Sequence, residues 1–187
     1  ARRRACSISV RRWNEYLPEG YIQDQSTGSV EKLGVGNAVA QIGEKYYDTL
    51  AAAVNAAADG DKATLLKDLD LGNDRITIKK AITLDLNGCK ITGTNATNTL
   101  WFEAEGITLQ DSRGNGKVQN TGTGSNNIAI VVNGATTTAY LKDGIVSGNY
   151  AVFVQNGAKA VIDGGKYTGT YGACTVGTNE SASKTTL

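Results

Sequence analysis

The chain is predicted to be all-β: a right-handed parallel β-helix, or solenoid, with a short N-terminal capping α-helix and an extended N-terminal arm. Three observations predict it. Among 187 residues there are 23 Gly and a single Pro, with abundant Thr, Asn, Ala and Val, a mix suited to short strands and tight turns. From Ala63 onward the chain is a series of short strand-like runs bounded by Gly, Asn or Asp. Those runs repeat. The glycines Gly88, Gly116, Gly144 and Gly164 each follow Asn87, Asn115, Asp143 or Asp163, at intervals of 28, 28 and 20 residues. Asn133-Gly134-Ala135 returns as Asn156-Gly157-Ala158 after 23. Self-similarity on this scale, several strands per period, is the mark of a stacked repeat.

Taken in chain order, residues 1–40 differ from the rest. Arg2, Arg3, Arg4, Arg11 and Arg12 crowd the start beside Trp13, and the only Pro follows. This stretch reads as an extended basic arm that anchors the chain to a larger protein assembly. No apolar run follows the basic opening, so no secretory signal is read there.

Residues 41–187 read as the solenoid. A cap helix is predicted at about 49–58, with Asp48 as N-cap, Leu50, Ala53, Val54 and Ala57 on one face, and Gly60 as the stop. Its apolar stripe would close the end of the first repeat, since a stack exposes unpaired strand edges. At the far end ASKTTL offers no such cap.

In LDLNGCKITG (Leu84–Gly93) the Asn-Gly looks like a hairpin turn. In a stack it is instead a corner, where Asn or Asp tolerates left-handed φ and Gly adopts it without strain. Alternation then predicts the inward side chains. Ile76, Ile78, Ile82, Leu84 and Leu86 line the first repeat, and Phe102, Ile130, Phe153 and Cys174 form one interior column. On that register Trp101, Val131, Val152 and Val154 point outward as a contact surface for a glycan or protein receptor, or for homotrimerisation along the axis. A one-residue slip would move them all into the core.

The residues also exclude chemistry. With no His, the Ser-His-Asp and Cys-His routes are closed. Cys6, Cys89 and Cys174 are far apart with no CxxC, so no zinc site is expected. A net charge of +1 argues against polyanion binding by the chain as a whole, and no apolar run is long enough to span a membrane. Asp85, Asp111, Asp143 and Asp163, with Arg113, Lys117, Lys142 and Lys166, are the candidates for lyase or hydrolase chemistry. Their recurrence about once per repeat is what structural corners predict. Asp59, Asp61, Asp68, Asp70 and Asp74 lack the spacing of a calcium loop and read as a solvated face. No metal and no cofactor is expected.

The stretches IGEKYYDTLAAAVNAAADGDKATLLKDL, ITIKKAITLDLNGCKITG and ITLQDSRGNGKV resemble the pectate-lyase-like β-helix modules of Gram-positive bacterial surface proteins, over about residues 40–170. Similar modules occur in phage fibre and decoration proteins, which dock through an N-terminal arm. The resemblance implies a solenoid on an extracellular surface, bacterial or viral. The expected function is non-catalytic attachment or decoration. The alternatives are a phage head-fibre, decoration or tailspike protein and a polysaccharide lyase or hydrolase.

Overall fold

The structure, a computed structural model, describes residues 17–18, 20–24, 26–94, 98–124 and 126–177, and the backbone of 184–186. Arg2, Arg3, Arg4, Arg11, Arg12, Trp13 and Cys6 lie outside the described residues.

The described chain begins with two antiparallel hairpins. In the first, β1 (Tyr21–Gln23) pairs with β2 (Val30–Lys32). In the second, β3 (Ala40–Ile42) pairs with β4 (Lys45–Tyr47). Within residues 1–40, read as an extended arm, the described stretch Tyr21–Lys32 is thus folded back as a hairpin. Asp24 closes it by accepting the Ser26 and Thr27 N–H groups, and the local Gly28 supplies the turn.

Helix α1 (Leu50–Ala56) follows. Its N-cap is Thr49, not Asp48: the Thr49 hydroxyl accepts the Ala52 N–H at 3.1 Å. Leu50, Ala53 and Val54 are buried in the core, as the helical spacing predicts. The helix ends at Ala56, well before Gly60.

Parallel strands come next: β5 (Lys62–Leu65), β6 (Leu69–Gly72), β7 (Ile76–Ile78), β8 (Thr83–Asp85), β9 (Lys90–Gly93), β10 (Asn98–Phe102), β11 (Glu105–Gln110) and β12 (Lys117–Asn120). The series continues through β13 (Ile128–Asn133), β14 (Thr138–Leu141), β15 (Ile145–Gln155), β16 (Lys159–Ile162), β17 (Lys166–Val176) and β18 (Lys184–Thr186). They sort into three ladders. The first is β5, β8, β11, β14, β16, β18, joined at its start by β3, which lies antiparallel on β5. The second runs β6, β9, β12 to the front of β15 and of β17. The third runs β7, β10, β13 to the back of β15 and of β17. Along the chain the ladders are visited in that order, again and again. Strands β8 and β9, either side of Asn87-Gly88, belong to different sheets, so this is a corner and not a hairpin. Asn87 has φ 50° and Gly88 φ 78°, the left-handed values expected there.

The ladders share one apolar core to which α1 and β3 also contribute. Ile76, Ile78, Ile82, Leu84 and Leu86 are buried in it. The interior columns differ from those expected. Register pairs Ile76, Leu100, Ile130, Val152 and Cys174 in one column, and Ile78, Phe102, Val132, Val154 and Val176 in the next. Phe102 and Ile130, expected in one column, therefore lie in two, and Phe153 lies in neither. The cause is a slip: the repeated Asn-Gly-Ala suggests an interval of 23, whereas the ladder pairs Asn133 with Gln155, an interval of 22. With a period of two, one residue reverses every side chain.

The corner glycines shift too. Lys90, Lys117, Ile145 and Lys166 stack, which aligns Cys89, Gly116, Gly144 and Gly165. Left-handed φ occurs at Gly114, Gly144 and Gly165, not at Asn115, Gly116, Asp143, Asp163 or Gly164. Gly116 is there for space: a Cβ would lie 2.5 Å from the Leu86 Cβ and 2.7 Å from the Asp111 Cγ. Among the described residues no helix is long and apolar enough to cross a membrane.

Candidate functional site

The outward face of the third ladder carries two parallel rows. Register places Thr77, Trp101, Val131, Phe153 and Thr175 in one. Two residues further along each strand, hence also outward, come Lys79, Glu103, Asn133 and Gln155. An apolar strip therefore runs beside a polar one, with neighbouring strands about 4.8 Å apart.

Of the four residues expected on this face, Trp101 and Val131 are on it. Val131 is 1% exposed yet outside the interior core, because its row neighbours Trp101 and Phe153 flank it. Val152 and Val154 are not on it: both are 0% exposed and belong to the interior columns. Phe153 stands outward between them. Tyr150 joins it edge-to-face with ring centroids 5.8 Å apart, and Tyr171 lies 5.7 Å beyond Tyr150. The register slip hid Phe153. A strict count of alternation back from Gln155 would have found it.

An open groove of about 540 Å³ follows this strip, lined by Trp101, Val131, Tyr150, Phe153, Arg75 and Gln155 among others. The Arg75 guanidinium sits 4.6 Å from the centre of the Trp101 ring. The polar row is wired together. The Trp101 indole N–H donates to Glu103 Oε1 at 2.6 Å, and Asn133 Nδ2 donates to the same oxygen at 3.2 Å. Asn133 Oδ1 accepts from Gln155 Nε2 at 3.1 Å and Asn156 Nδ2 at 2.6 Å. Lys79 Nζ lies 3.6 Å from Glu103 Oε2. The Trp101 hydrogen bond holds the Glu103 carboxyl below its ordinary value; partial burial opposes this, and Lys79 and Asn133 add to the lowering. Glu103 is thus a fixed anion that orients the indole.

The carboxylates that are candidates for lyase or hydrolase chemistry sit at the corner between the first and second ladders. Asp85 and Asp111 are 1% and 5% exposed. Asp85 Oδ1 accepts the Asn87 and Ser112 N–H groups, both at 3.0 Å, and Oδ2 accepts Gln110 Nε2 at 3.0 Å. Burial pushes the Asp85 carboxyl up, but these hydrogen bonds outweigh it and leave it below its ordinary value. Asp111 accepts the Gly88 N–H at 2.7 Å, and also those of Gly116 and Arg113. Asp143 accepts the Gly144 N–H at 2.7 Å and is exposed, as is Asp163. Arg113 packs over Gly88, while Lys142, exposed, and Lys117 and Lys166, heading β12 and β17, lie along the same side of the stack.

In the acidic cluster, Asp59 accepts the Ala81 N–H, Asp61 that of Ala58, Asp68 that of Lys90 and Asp70 that of Gly72. Among the described residues no three His, Cys, Asp or Glu converge as metal ligands. Cys89 and Cys174 are half-buried thiols, and burial pushes the Cys89 thiol up, away from the nucleophilic thiolate. Compared with family models, curated proteins and solved structures, the chain matches none.

Proposed function

We propose that the three ladders close into a right-handed parallel β-helix that acts as a rigid, non-catalytic attachment module. The outward strip around Trp101, Val131 and Phe153 is its contact surface, and the basic N-terminal arm joins it to a larger assembly on a cell surface or a virion. The observation that carries this reading is the pairing of an outward aromatic row with a pre-oriented polar row along one groove. Aromatic faces and fixed amides recognise a glycan or a protein receptor without further rearrangement. The resemblance to surface and fibre modules points the same way, and the five arginines suit docking on an anionic assembly.

Enzymatic use is the weaker reading. Asp85 and Asp111 hold corner backbone N–H groups, and Arg75 in the groove is stacked on Trp101. The test pairs binding with turnover. Immobilised cell-surface glycans and whole cells are probed with the intact chain and with Trp101→Ala and Phe153→Ser. Binding that falls about tenfold or more in both variants, with unchanged circular dichroism, supports the proposal. Chain cleavage of a polyuronate or neutral polysaccharide by the intact protein would overturn it.

A further inference from the structure

The groove on the outward face crosses the strands instead of following one. Arg75 stands just before β7, Trp101 is in β10, Val131 is in β13, and Tyr150 and Phe153 are in β15. These strands are successive members of the third ladder. The groove therefore climbs three strand steps, about 14 Å at about 4.8 Å each. Its two ends differ in kind. Among the described residues that line it, Arg75 at the base is the one charged side chain. The upper end is aromatic, with Tyr150 and Phe153 in contact and Tyr171 beyond.

The cation at the base is not engaged by an anion. Arg75 is exposed and, among the described residues, has no ion pair and no hydrogen bond through its guanidinium. Its chain neighbour Asp74 does not pair with it, and Glu103 is held by Lys79, Trp101 and Asn133. A guanidinium stacked on a ring keeps its donors for a carboxylate, which it takes in a two-pronged bond.

The same contacts favour a peptide over a sugar. A sugar stacks on an open ring face, whereas Trp101 has Arg75 over its ring and its indole N–H committed to Glu103. Sugar hydroxyls need available amides, whereas Asn133 Oδ1 already accepts from Gln155 and Asn156. Tyr, Trp, Phe and Arg inside a polar rim are the composition of a protein-binding core. An extended peptide advances about 3.3 Å per residue, so side chains four residues apart stand about 13 Å apart on the same side. That is the run from Arg75 to Phe153. We infer that the groove takes an extended segment of a protein partner, with a carboxylate on Arg75 and, four residues along, an apolar side chain against Tyr150 and Phe153. This rests on the reading of the outward face as a contact surface and names its occupant.

Fluorescence anisotropy of dye-labelled acetyl-Glu-Thr-Leu-Thr-Phe-amide, and of the same residues in reverse order, tests it on the full chain. The expected result is saturable binding of at least one order. That binding should weaken about tenfold or more in Arg75→Gln, in Phe153→Ser and with Lys in place of Glu in the peptide, at unchanged circular dichroism. Added salt should weaken it too. No saturable binding of either order overturns the inference, as does binding that ignores both Arg75→Gln and the Lys peptide. A uronic-acid trisaccharide that binds where the peptides do not overturns it, because the anion then belongs to a sugar. A dimer in light scattering that Phe153→Ser dissolves also overturns it, because a second copy then fills the groove. Failed peptide binding with whole-cell binding still lowered by Trp101→Ala and Phe153→Ser sinks this inference alone. Failed peptide binding with whole-cell binding that neither variant lowers sinks the contact surface as well.

Discussion

The corners at Asp85–Asp111 and at Asp143–Asp163 use the same residue types and are held in different ways. In the early repeats the carboxylates are buried and act as internal acceptors, collecting N–H groups from the corner of their own repeat and of a neighbouring one, the next for Asp85 and the preceding for Asp111. In the later repeats they stand in solvent. The backbone bond that stacks the corners is common to both: Lys117 N–H donates to the Cys89 carbonyl at 3.0 Å, and Ile145 N–H to Gly116 and Lys166 N–H to Gly144 at 2.9 Å. A charged acceptor inside the wall is worth much only where removing it would strand buried donors. The same Asp at the surface competes with water.

The largest effect that would break this comparison belongs to Asp111. Asp111→Ala leaves the Gly88 and Gly116 N–H groups without their acceptor and should destabilise by about 3 kcal/mol, read as a lower urea midpoint. Gly116→Ala comes next, at about 2 kcal/mol, since its Cβ meets Leu86 and Asp111 with no room to yield.

Asp85→Asn should follow at about 1 kcal/mol at neutral pH, through the bonds it weakens. Its pH dependence has a definite sign. The folded carboxyl is depressed below its ordinary value of 3.8, so the stability it contributes is complete above that value. That stability is lost as pH falls through the lower folded value. Acid unfolding of Asp85→Asn should accordingly be shallower below pH 3.8 than that of the intact chain. Asp143→Ala is the smallest, within about 0.5 kcal/mol, because solvent replaces what the side chain gave. A loss at Asp143 as large as at Asp111 would end the distinction between the two corners.

Much of the stack was legible before any coordinates. Short runs and recurring Asn-Gly or Asp-Gly brought the corners to within a residue, Cys89 and Gly165 standing in register where Gly88 and Gly164 were expected, and alternation in ITLDL found Ile82, Leu84 and Leu86. What could not be read was register. Nothing local distinguishes an interval of 22 from 23, since Asn133 and Asn156 stand at similar turns, and so Val152 and Phe153 exchanged faces. The hairpin at β3 was missed because its three-residue strands show no period; it is stabilised by pairing with β5, a contact made at a distance in sequence. Of the candidate site, Trp101 and Val131 were found by alternation. Glu103, two residues past Trp101 on the same face, was within reach of alternation, whereas Arg75 and Asn133 depend on which strands stack, and no sequence window contains that.

The corner between the second and third ladders varies in length while the columns do not. Three residues separate β6 from β7, four separate β9 from β10, seven separate β12 from β13, and in β15 and β17 the strand continues unbroken. Leu100 still meets Ile130, and Ile130 still meets Val152. This edge is therefore a graft point: a foreign peptide spliced at the exposed Thr123 would leave the apolar columns in place, provided that Asn127, which is buried and accepts the Asn149 and Tyr150 N–H groups, is kept. Its height above the base would be set by the repeat that carries it, in steps of about 4.8 Å, like a mark on a ruler.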